Sequence, residues 1–148
     1  MRIALLIAAG LVIPVVGQAD DSDDTLKYFL AKSDLVDHGT IKTEPLGLTR
    51  EAGVPNDICD FEVWDVLKGD EKLKSKTIHV TIKRFEMAPE DHHPLIKKDA
   101  ECILFLKQQK QGTNPNWATA DFWFGIQRAS PWMVKSLNRL ADQSSRQQ

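Results

Sequence analysis

The sequence predicts a mainly β domain, a small five-stranded barrel flanked by a short N-terminal helix and a C-terminal helix. Three stretches predict it. Ile58 to Arg84 reads as two strands around a polar turn, and Glu101 to Lys107 as an apolar strand with charges at both ends. Ser130 to Leu140 reads as a capped helix.

Met1 to Ala19 has the parts of a secretory signal: Arg2 at the start, an apolar run from Ile3 to Val16, and small residues in Gly17-Gln18-Ala19 at the expected cleavage site. The apolar run is shorter than the roughly 20 residues that a membrane span takes. Export to the periplasm or the cell exterior is therefore expected, with no stable membrane span once the signal is removed; a retained anchor is the other reading. Residues 20–148 then make one domain with a polar C-terminal tail, without an internal repeat.

After the acidic leader, Leu26, Phe29 and Leu30 share one face of a short helix that ends near Lys32. Ser33 to Ile41 reads as the first strand. Residues 43–57 carry Pro45, Gly47, Gly53 and Pro55, so a loop is expected there. In the central hairpin, Phe61 to Val66 place apolar groups on both faces, the pattern of a doubly covered strand or of a bulge near Trp64 and Asp65. Lys68-Gly69-Asp70 supplies turn chemistry. Thr77 to Lys83 alternates strictly, with Ile78, Val80 and Ile82 on one side. Residues 85–100 read as a loop. Trp117 to Gln127 gives one or two further strands rich in Trp and Phe. In the last helix Ser130 is the N-cap, Pro131 sits in the first turn, and Met133, Leu137 and Leu140 form the apolar stripe. Five strands with a loop-rich insert between them point to a closed or partly closed barrel of OB-like form.

The formal net charge is −2 and no long basic run occurs, so nucleic-acid binding has no electrostatic footprint. Two cysteines, Cys59 and Cys102, both fall in predicted strands. In an oxidising compartment one disulfide is expected; two buried thiols packed as small apolar groups are the alternative.

The stretches SDLVDHG, FEVWDVLKGD, TIHVTI and ECILFL carry a resemblance. Over Ser33 to Lys107 the chain resembles exported bacterial OB-fold domains of the tissue-inhibitor-of-metalloproteinase-like (netrin-like) type. That resemblance implies an OB-type barrel. The animal inhibitors of this type place an N-terminal cysteine on the protease zinc, whereas residues 20–21 here are Asp-Asp. Metalloprotease inhibition by that route is not implied.

Chemistry-bearing residues are sparse. Glu90-Asp91-His92-His93, with His79 on the polar side of a strand, could bind a metal such as Zn²⁺ or Cu²⁺. Adjacent histidines point apart, however, and a solvated loop tip has the same composition. His38 beside Gly39 reads as a surface or turn residue. No serine stands in a nucleophile elbow, no Gly-rich phosphate loop occurs, and neither cysteine neighbours a histidine. Trp117, Phe122, Trp123 and Phe124 could form an aromatic platform or barrel core. The leading expectation is a non-catalytic exported domain, without a cofactor, that binds a protein through a surface around Trp64, Trp117 and Trp123. The alternative is a metal-binding protein or metal-dependent enzyme using His79, Asp91, His92 and His93.

Overall fold

The computed structural model describes residues 17–44, 46–51, 54–83, 95–110, 116–121 and 124–148, with side chains from residue 23 onward except 45–56. The elements are α1 (Gly17–Lys32), β1 (Leu35–Ile41), β2 (Leu46–Glu51), β3 (Val54–Lys68), β4 (Thr77–Lys83), β5 (Glu101–Gln108), β6 (Trp117–Thr119), β7 (Ile126–Arg128) and α2 (Pro131–Arg146). A 3₁₀ turn at Glu71–Leu73 joins β3 to β4.

Five strands close a ring in the order β1-β3-β4-β6-β5, with β5 pairing back onto β1. Neighbours are antiparallel except β4 and β6, which run parallel, so the barrel is mixed. β2 extends the sheet beside β3, and β7 adds to β5. Closure removes most of the unpaired strand edges that an open sheet would expose. The fold is the OB-like barrel between two helices that the sequence predicts.

Strand alternation sorts the side chains into two layers. Leu35, Ile41, Cys59, Phe61, Val63, Ile78, Val80, Ile82, Cys102, Leu104 and Leu106 point inward and fill the barrel. Val36, Leu67, Ile103 and Phe105 point outward and are covered by Leu26 and Leu30 of α1 and by Leu137 and Leu140 of α2. Both faces of β5 are thus apolar because both are covered. Phe29 of α1 stacks on Phe124 at a centroid distance of 4.0 Å, and Phe124 meets Phe105 edge-on at 5.2 Å. Ser130 caps α2 by accepting from the Met133 amide at 3.2 Å, and Arg139 of α2 ties to Asp23 of α1 at 2.6 Å.

Several local expectations change. Residues 43–57 hold β2 and the first part of β3 rather than a loop. Pairing between Leu46–Glu51 and Val54–Ile58 outweighs the turn signals of the prolines and glycines. The tail continues α2 to Arg146 instead of fraying from Asp142. The signal expected at residues 1–19 lies outside the described residues except for its last three positions.

The Lys68-Gly69-Asp70 turn is more than a reversal. Lys68 donates from Nζ to the carbonyls of Leu30 and Ser33, both at 2.6 Å, and so caps the C-terminus of α1 with a cation. Gly69 has φ +115°, and a Cβ there would come within 3.0 Å of the Asp34 carbonyl and of Leu35. Asp70 accepts from the Lys72 amide at 3.0 Å and starts the 3₁₀ turn.

Candidate functional site

The seam between β1 and β3 is interrupted twice. Val36 pairs with Lys68 but Asp37 with Val66, which leaves Leu67 as an extra residue on β3. His38 pairs with Asp65 but Gly39 with Val63, which leaves Trp64 as a second. The second bulge falls where the sequence pattern places it. Such bulges re-aim side chains, and here Trp64 and Asp65 are both sent to the outer face. Gly39 makes the close approach possible, because a Cβ there would sit 1.9 Å from the Glu62 carbonyl oxygen.

Trp64 is 40% exposed. Its ring meets the His38 ring edge-on at 5.4 Å, with the planes 77° apart. Four acid–base side-chain pairs lie on the same outer sheet face. His38 Nε2 is 2.8 Å from Glu101 Oε1, and His79 Nδ1 is 2.5 Å from Asp60 Oδ1. Lys42 lies 3.3 Å from Glu62, and Lys74 lies 2.8 Å from Asp65. The hydrogen bond and the charge of Asp65 hold the Lys74 ammonium above its usual pKa. Asp60, Glu62, Asp65 and Glu101 thus each have a basic neighbour, and Trp64 is an exposed large apolar side chain on the same face.

The Thr40 hydroxyl, next along the outer side of β1, donates to the Ala100 carbonyl at 3.2 Å. Both cysteines point to the other side of the sheet, away from His38 and His79. Cys59 and Cys102 are free, buried thiols. Burial, helped by the nearby Asp57 and Asp60 carboxylates, pushes Cys59 up to about 12. Burial, then Asp37, then Cys59, pushes Cys102 higher still. Neither thiol is a thiolate nucleophile at neutral pH.

Of the candidate metal ligands of the alternative reading, His79 faces solvent and is engaged by Asp60. Asp91, His92 and His93 lie outside the described residues. Among the described residues, no group of three His, Cys, Asp or Glu side chains is placed to hold a metal ion. The three-tryptophan surface is divided. Trp64 is on the outer face, Trp117 is half-buried against the interior cluster, and Trp123 lies outside the described residues. His38 is not a turn residue but the middle of β1, brought to Glu101 by the β1–β5 pairing. That role was hidden in the sequence because its partner lies 63 positions away.

On the helical side an open cleft of about 550 Å³ runs between α1, α2 and the end of β3, lined in part by Lys27, Leu30, Lys68, Asn138 and Asp142. Its most buried cation, Lys68, already serves the α1 carbonyls.

No family model matches the chain, and no curated protein matches it significantly. No described helix is long and apolar enough to cross a membrane.

Proposed function

We propose that this chain is an exported, non-catalytic binding domain that recognises a protein through the outer β1–β3 face centred on Trp64. The observation that carries the reading is Trp64 itself, a large ring displayed on a β-bulge beside His38 while comparable side chains of the same sheet are covered. An aromatic anchor rimmed by polar groups is the usual make-up of a binding hot spot. The four acid–base pairs of the same face supply polar groups for that rim. The resemblance to netrin-like OB domains fits a binding role and adds no catalytic residue.

The test is photocrosslinking in the source cells from two positions. A photoreactive residue at position 62, on the sheet face, is expected to yield a discrete protein adduct. One at position 138, on α2, is expected to yield none. Equal adducts from both positions, or none from position 62, would count against the reading.

A further inference from the structure

The barrel interior holds an acid that the recognition role does not use. Asp37 is 0% exposed, and neither of its carboxyl oxygens has a hydrogen-bond partner. Alternation along β1 aims it inward, between Leu35 and Gly39. Directly opposite stand Val66 on β3 and Leu104 on β5. Among the described residues, the titratable groups that share the interior are Cys102 on β5 and, from β3, Cys59 and the buried Asp57. No lysine, arginine or histidine is buried among the described residues. A charged carboxylate placed there would therefore be desolvated without a counter-ion, which is far more costly than keeping the neutral acid.

The local backbone is also the least regular part of the ring. Bulges at Leu67 and Trp64 interrupt the β1–β3 ladder on both sides of the Asp37–Val66 pair. The ladder is thus broken on either side of the unpaired acid, which locally weakens its resistance to opening.

We propose that the barrel folds around an uncharged Asp37 carboxylic acid, and that loss of its proton loosens the β1–β3 seam, a pH-sensitive weak point built into the fold. Desolvation by burial raises the Asp37 carboxyl well above its ordinary value. The folded chain then keeps a proton that the unfolded chain releases near pH 3.9. Where the folded state binds more protons, stability falls as pH rises. The Asp37 contribution is fully present below about pH 3.9 and is lost as pH rises towards the raised value of the folded state. This inference does not depend on the recognition role of the outer face.

The experiment is urea unfolding of the full chain at about pH 5 and about pH 8, for the native protein, Asp37→Asn and Asp37→Val. Asparagine keeps the shape without an ionisable proton, and valine removes the polar group and suits a strand. The native midpoint is expected to fall between the two pH values by more than either variant's midpoint does. At pH 8 at least one variant is expected to unfold at higher urea than the native chain, with a smaller gap at pH 5. A second readout is native-state labelling of Cys102 in a Cys59→Ala background. The ratio of labelling rates, native Asp37 over Asp37→Asn, is expected to grow with pH, whereas the ordinary rise in thiolate cancels in that ratio. Parallel midpoint curves, with a constant labelling ratio, would overturn the proposal. Failure of both variants to fold would overturn it too, because Asp37 would then be a required structural partner.

Discussion

The two sides of the same strands treat carboxyl groups in opposite ways. On the outer face Asp60, Glu62, Asp65 and Glu101 each stand beside a lysine or a histidine. One residue from His38, on the inner face, Asp37 has no partner at all. Water explains the difference. Outside, charge is cheap and pairs form and break with little consequence for folding. Inside, Asp37 is buried with no hydrogen-bond partner on its carboxyl oxygens, so its protonation state bears on the stability of the barrel. The outer face is therefore free to serve contact, while the inner face and the helix-covered face set stability.

That division can be broken by substitutions on either side. The largest effect is expected for Phe105→Ala, which empties a 0% exposed site between β5 and the two helices and removes an edge contact to Phe124. A loss of about 3–5 kcal/mol in denaturant unfolding is expected. Lys68→Met comes next. It strips the cation from the carbonyls of Leu30 and Ser33 while keeping much of the side-chain stem. A loss of about 1–2 kcal/mol is expected, with α1 detaching before the barrel melts in hydrogen exchange. Glu101→Gln should cost least, below about 1 kcal/mol, since its pair with His38 is on the surface. A loss as large as that of Phe105→Ala would show that the outer face is structural after all.

Much of the barrel was legible in the sequence, and the reasons are local. β3, β4 and β5 announce themselves through alternation and β-branched residues, and α2 through Ser130, Pro131 and the Met133–Leu137–Leu140 stripe. β2 was hidden, because Pro45, Gly47, Gly53 and Pro55 carry strong turn signals that only tertiary pairing overrides. The site was legible in part. Trp64 and its bulge follow from the unusual run Phe61 to Val66. The His38–Glu101 and His79–Asp60 pairs depend on strand register that no local pattern encodes. Asp37 is the clearest case. In Leu35-Val36-Asp37-His38-Gly39 both alternating sets contain a polar residue, so the pattern cannot say which set turns inward.

The most direct test of the division pairs two readouts on one variant, Trp64→Ala. Thermal unfolding is followed by circular dichroism, and adduct formation is followed from the photoreactive residue at position 62. The expected result is a melting temperature within a few degrees of the native chain, about 0.5 kcal/mol or less, and loss of the adduct. A collapsed melting temperature with the adduct intact would mean that Trp64 is packing rather than recognition, and would contradict the central claim.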